Sequence, residues 1–206
     1  MAEEAELLLH GLQRGPPLGR GAFGTVFAGR DLTASGSEAE VAMKFMPISS
    51  SDTERLTTEI GVLSHLSHPH IVTLRRVVRL QAHLVLVMSR AFGGDLRACV
   101  EAAPGGALGE DSARVILRQL ARGLRFAHSK KVIHRDLKLE NVLLRGSSEA
   151  GGSHVLLADF GLSRMGQKTE TDALLCRTGS LYYMVRAARV QRVKRARCQR
   201  PCGVAL

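Results

Sequence analysis

Absences bound this 206-residue chain before any motif does. It holds no run of about eighteen apolar residues, and the longest apolar stretches, Leu84 to Met88 and Val155 to Ala158, have only strand length. A membrane-spanning helix is therefore not expected. The N-terminus opens Met1-Ala2-Glu3-Glu4 rather than with a basic segment and a hydrophobic block, so no secretory signal is read. Cysteine is scarce as well. Cys99, Cys176, Cys198 and Cys202 are scattered, and their one close pair has no histidine beside it, which argues against a zinc site or a disulfide framework. Reduced thiols in a cytoplasmic or nuclear protein are the expectation. No internal repeat or heptad array is visible.

Acids and aromatics are missing where cations crowd. The net charge is +10, and residues 185–206 carry seven of the cations and no acid, leaving +3 for residues 1–184. That basic tail lacks the interleaved aromatics that stack on single-stranded bases. It is read as a solvated, disordered segment, and nucleic acid is not expected as a partner.

What is present alternates between strand and helix patterns. Residues 1–14 suggest a short helix ahead of the fold, with Leu7, Leu8 and Leu9 as its apolar face. Residues 18–46 read as strand, turn and strand, and Pro16-Pro17 implies that the first strand is short or bent. A helix capped at Ser51-Asp52 and running to about Leu66 follows, with Leu56, Ile60 and Leu63 at helical spacing, and His68-Pro69 ends it. Strands are expected at Ile71 to Val78 and His83 to Met88. A second long helix opens at Gly109 to Ser112 and ends near Ser129, and short strands at Asn141 to Leu144 and His154 to Ala158 flank a polar Gly/Ser loop.

Four motifs carry chemistry. Gly19-x-Gly21-x-x-Gly24-x-Val26 is a glycine-rich loop between two strands, unlike a dinucleotide fingerprint, which leads into a helix. It is followed by Val41-Ala42-Met43-Lys44. Further on stand His134-Arg135-Asp136-Leu137-Lys138-Leu139-Glu140-Asn141 and Asp159-Phe160-Gly161. An aspartate, a lysine and an asparagine spaced this way supply a proton acceptor, a cation and an oxygen ligand, and the second aspartate another oxygen ligand.

With these motifs the chain resembles the eukaryotic protein kinases of the serine/threonine type. The resemblance implies a two-lobed α+β fold, with an antiparallel N-lobe sheet plus one helix over about 14–91 and a partial helical C-lobe over about 92–184. Residues 1–13 would be an N-terminal extension and 185–206 a non-kinase tail. It implies ATP and Mg²⁺ as cofactors. Gly19, Gly21 and Gly24 would close over the phosphates, Val26 and Ala42 would sandwich the adenine above Leu143, and Met88 with Ser89 to Ala91 would line its back and edge. Lys44 would contact the α- and β-phosphates and pair with Glu59. Replacing it by methionine is expected to leave the fold nearly unchanged, as for a lysine exposed to the cleft. Asp136 would accept the substrate proton, Lys138 would neutralise the moving phosphoryl group, and Asn141 and Asp159 would hold the metal. Leu63, Leu74, His134 and Phe160 would stack between the lobes.

Other positions leave alternatives open. Asp95 reads equally as a ribose ligand and as a helix cap. Asp95 and Glu140 also fall where basophilic kinases hold substrate arginines, so a protein substrate with basic residues upstream of its serine or threonine is expected. Arg135 points to activation by phosphorylation, with Thr169, Thr171 and Thr178 as candidate acceptors. The resemblance weakens at Gly179 to Met184 and stops there, where Val185-Arg186-Ala187 replaces the family's A-P-E. The alternative to an active kinase is thus a truncated, inactive fragment that binds nucleotide or a partner.

Overall fold

Pro16 and Pro17 cannot donate to a sheet ladder, so the strand that carries them belongs at an edge or a bulge. The computed structural model, which describes residues 2–21, 24–48, 53–146 and 154–165, places them at both. Strand β1 (Leu12–Gly21) runs the full ten residues and pairs antiparallel with β2 (Gly24–Asp31), shifting register on either side of Pro17. The strand is bent, as expected, but not short. It edges a five-stranded sheet of order β1-β2-β3-β5-β4, completed by β3 (Glu40–Pro47), β4 (Leu74–Arg79) and β5 (His83–Ser89).

Alternation along β2 and β3 gives this sheet two working faces. Val26 pairs in register with Lys44, and Ala28 with Ala42, which puts these side chains on one face. Phe27, Met43 and Phe45 take the other, where Met43 and Phe45 join Leu7, Leu12, Val41, Val85 and Val87 in a buried cluster with Phe27 against it. Leu7 comes from helix α1 (Ala2–Leu9), so this helix caps the sheet. Only Leu7 of the expected apolar face is buried, and Leu8 and Leu9 are exposed. The sheet lobe therefore includes segments that were expected to precede it.

Helix α2 (Thr53–Ser64) buries Glu59, Val62 and Leu63, with Leu66 just beyond its end. Glu59 lies one helical turn from Leu63, and so its carboxylate shares the inward face. The strand expected from Ile71 begins instead at Leu74. His70, Ile71 and Val72 are drawn toward the other half of the molecule, where the Val72 amide donates to the Leu157 carbonyl (3.0 Å) and the Leu157 amide to the His70 carbonyl (2.9 Å).

The second half holds α3 (Leu96–Ala102), α4 (Glu110–Ser129), the pair β6 (Val132–Ile133) and β9 (Arg164–Met165), and the hairpin of β7 (Val142–Leu144) with β8 (Val155–Leu157). Helix α4 carries acids in its first turn and His128 in its last, which suits the helix dipole. Its buried residues, Ile116, Leu120, Gly123 and Ala127, recur at helical spacing. One core cluster crosses between the halves, joining Val62, Leu63, Leu66 and Leu86 to Ala127, Val132, Leu157 and Phe160, with Leu74 against it. The His134 and Phe160 rings meet edge to face at 4.7 Å, completing the expected stack. Among the described residues no helix is long and apolar enough to cross a membrane. Thr169, Thr171, Thr178, the segment Gly179 to Met184 and the tail 185–206 lie outside the described residues.

Candidate active site

The Val26, Ala42 and Lys44 face of the sheet and the crossing cluster border a cleft between the halves, of about 520 Å³. Its roof is the glycine-rich hairpin, and there the glycines divide into two kinds. A Cβ at Gly19 or Gly21 would meet no atom within 4 Å. At Gly24 a Cβ would stand 2.1 Å from the Phe45 carbonyl oxygen, at φ +136°, so this glycine is required by the backbone itself. Val26, Ala42, Met88, Ala91, Leu143 and Asp95 line the cleft.

Asp95 resolves as a helix cap, since its Oδ1 accepts the Ala98 amide of α3 at 2.8 Å. It remains beside the cleft in doing so. The side chains of Arg90 and Phe92 also line the cleft, where only the backbone of Ser89 to Ala91 was expected. Arg90 pairs with Glu40 at 2.6 Å and lies over the Phe92 ring at 4.8 Å. Neither side chain belongs to a recognisable pattern, and only the bend after β5 brings them to the cleft.

Lys44 reaches across the cleft floor. Its Nζ lies 2.6 Å from Glu59 Oε1 on α2 and 3.2 Å from Asp159 Oδ1 after β8. It is 7% exposed and Glu59 2%, which corrects the expectation of a solvent-facing lysine whose loss the fold would ignore. The second Glu59 oxygen is buried without a hydrogen-bond partner.

The catalytic-loop residues form a second, connected group. Asp136 is buried, and its Oδ2 accepts from Lys138 Nζ (2.8 Å) and Asn141 Nδ2 (3.1 Å), while Asn141 also donates to the Asp136 carbonyl (2.8 Å). With its amide nitrogen spent on Asp136, Asn141 keeps its oxygen as an acceptor. Burial acts to lower the Lys138 pKa, but the hydrogen bond and charge of Asp136, helped by Asp159 and Glu140, outweigh it and hold the ammonium above its ordinary value. His134 sits beneath, its Nε2 at 2.9 Å from the Ala158 carbonyl. Burial lowers its pKa, against the Ala158 bond and the charges of Asp159 and Asp136. Arg135 and Asp159 both adopt left-handed backbone, at φ 66° and 59°. For residues other than glycine such strain costs about 1–3 kcal/mol each. The Arg135 Nε bond to the Leu162 carbonyl (2.6 Å) and the Ala158 amide bond to Asn141 (2.8 Å) brace the two turns.

Asn141 and Asp159 both line the cleft, the donor set expected for a magnesium ion that shares phosphate oxygens. Among the described residues no group of three His, Cys, Asp or Glu could hold a metal by itself. A site completed by a nucleotide fits that composition.

Residues 12–188 match the protein kinase domain. The chain is 32% identical to CBL-interacting protein kinase 20 of Oryza sativa subsp. japonica over 179 residues, which cover 85% of this chain and 38% of that protein. It is 38% identical to CBL-interacting serine/threonine-protein kinase 1 of Arabidopsis thaliana, over 82% of this chain and 37% of the relative. To NUAK family SNF1-like kinase 2 of Rattus norvegicus it is 34% identical, over 73% and 23% respectively. The matched stretch thus spans less than half of each of these relatives. Domain match, relatives and the two-lobed architecture agree, and the chain belongs to the protein kinase family.

Proposed function

We propose that the cleft binds ATP with Mg²⁺ and transfers the γ-phosphoryl group to a serine or threonine hydroxyl of a protein. The observation that carries this reading is the position of Lys44 Nζ between Glu59 and Asp159, a cation from the sheet lobe held over the metal-ligand aspartate of the other half. Lys44 is the residue that would hold the α- and β-phosphates. Asn141 and Asp159 would hold the metal, which when bound neutralises phosphate charge. Asp136 Oδ2 would accept the hydroxyl proton as the acceptor oxygen attacks. Lys138, already beside that carboxylate and held charged, would meet the charge spread over the transferring group. Catalysis of this kind is positioning and charge stabilisation.

The substrate side is read from the Glu140 carboxylate. Glu140 lines the cleft and its Oε1 pairs with Arg97 at 3.1 Å, while its Oε2 is buried without a partner. A partly exposed carboxylate at that position supports a preference for basic residues upstream of the acceptor, and a charge-assisted contact to it is worth about 1.5–3 kcal/mol. The scattered cysteines fit a cytoplasmic or nuclear protein. A second reading, nucleotide binding without transfer, is supported by the cleft itself, whose lining among the described residues falls between Leu18 and Phe160.

One experiment separates the two. The full chain is incubated with radiolabelled ATP, Mg²⁺ and a basic acceptor protein, beside Asp136→Asn, and its thermal midpoint is read with and without ADP and Mg²⁺. Transfer that disappears in the variant supports the kinase reading. Nucleotide stabilisation without transfer supports the second, and neither effect refutes both.

A further inference from the structure

Helix α4 turns two unlike faces outward and inward. From Ser112 to Lys131 the chain contains six lysines and arginines and no aspartate or glutamate. At about 100° per residue, Arg114, Arg118, Arg122 and Arg125 fall within an arc of about 80°, opposite the buried Ile116, Leu120, Gly123 and Ala127. All four arginines are exposed, as are Lys130 and Lys131 just past the helix. Arg114 is neutralised by Glu110 and Asp111 within its own helix. Among the described residues no carboxylate pairs with Arg118, Arg122, Arg125, Lys130 or Lys131. The stripe is flanked by Val115, 42% exposed, and Leu117, 64% exposed.

A surface that repels itself this strongly is unusual on a helix, where acids normally alternate with bases to form pairs one turn apart. Outside the described residues the only acids are Asp52, Glu149, Glu170 and Asp172. Residues 166–206 hold only Glu170 and Asp172 against nine cations. We propose that the outer face of α4 is a docking surface for an acidic segment of a partner protein, with carboxylates on Arg118, Arg122 and Arg125 and apolar side chains on Leu117 and Val115.

The chemistry favours that occupant over other polyanions. Arginine presents a planar fork that engages carboxylates with two parallel bonds, which suits a stripe made of three arginines rather than of mobile lysines. Duplex nucleic acid would match the charge but leave Leu117 and Val115 against a hydrophilic backbone. Single strands would require stacking rings, and the outer face offers none, since Phe126 is part-buried and packs against His68. A lipid surface would demand a broad apolar face, and the apolar face of α4 is already buried in the protein.

The test uses the full chain and three probes at low and physiological salt: a short fluorescent peptide alternating glutamate and leucine, a DNA duplex of similar charge, and phosphatidylserine vesicles. The expected result is peptide binding that weakens about tenfold or more in R118E/R122E/R125E, and less in R118Q/R122Q/R125Q. Reversal of tail cations, R189E/R192E/R195E, should leave it within about twofold. The neutral variant also keeps the test valid should charge reversal disturb folding, which the thermal midpoint monitors. Absence of peptide binding overturns the proposal. So does equal loss in the tail variant, or tighter binding of duplex or vesicles through the same arginines.

Discussion

Replacing Lys44 by methionine removes one charge from a buried pair and leaves the other behind. Glu59 is 2% exposed, and its Oε1 loses the ammonium at 2.6 Å while its Oε2 already lacks a partner. Stranding one member of a buried ion pair costs about 3–5 kcal/mol. For a chain of this size that is a fall of roughly 6–20 °C in thermal midpoint, a large share of a typical folding stability. The burden is electrostatic rather than steric, so neutralising the stranded partner should relieve it. Lys44→Met/Glu59→Gln should recover most of the loss at neutral pH, because an uncharged amide avoids the desolvation of an ion. Urea unfolding of the three proteins by circular dichroism at pH 7.5 reads the effect. A single variant within about 0.5 kcal/mol of the parent at neutral pH would refute the reasoning, since surface substitutions produce changes of that size.

Other positions give independent expectations. His68, His70 and His134 have pKa values lowered chiefly by burial, with His154 and Arg122 also acting on His70, and Asp136, Asp159 and Lys138 facing His134. Depressed values mean that the unfolded chain binds protons first, so this contribution to stability is intact above about pH 6.5 and is lost as pH falls below it; His134→Gln should flatten that slope in an unfolding series. Leu7→Ala should destabilise by about 2–5 kcal/mol and Leu9→Ala by a few tenths, because only the first is buried, and equal effects in a denaturant titration would show that α1 does not belong to the lobe. Gly24→Ala should unfold the hairpin and lower the thermal midpoint, whereas Gly19→Ala should leave it unchanged and alter only nucleotide-dependent stabilisation, as the open space at Gly19 and the Phe45 carbonyl at Gly24 require.

The cleft was legible from sequence because its residues cluster in short motifs whose spacing is set by local backbone. Gly19 to Val26 must form a hairpin, and Asp136 to Asn141 fits one braced turn, so their relative positions follow from a few dihedral angles. Glu59 stands fifteen residues from Lys44 and was placed by resemblance alone, and the helical spacing of Glu59 with Leu63 is the local reason that it points inward. What the sequence left hidden depends on distant contacts. Leu7 and Leu8 are adjacent leucines, yet one is buried and the other is half exposed, and which is which follows from how α1 lies on the outer face of a sheet formed by residues far along the chain.

The same distinction explains the beginning of β4 and the burial of Lys44. Ile71 and Val72 have the composition of a strand, and β propensity is a preference for a half-buried pleated surface that a partner must supply. Their partner is the chain near Leu157, in the other half, so they serve the junction and the strand starts at Leu74. Lys44 sits in an alternating strand on the face opposite Met43 and Phe45, which by pattern alone is the solvent side. That face is closed by α2 and by the turn carrying Asp159, brought there by the same junction. The hydrogen bonds that shorten β4 thus hold the two halves at the separation where one ammonium can touch both Glu59 and Asp159, so weakening the His70 to Leu157 junction should loosen the site without removing any residue that lines it.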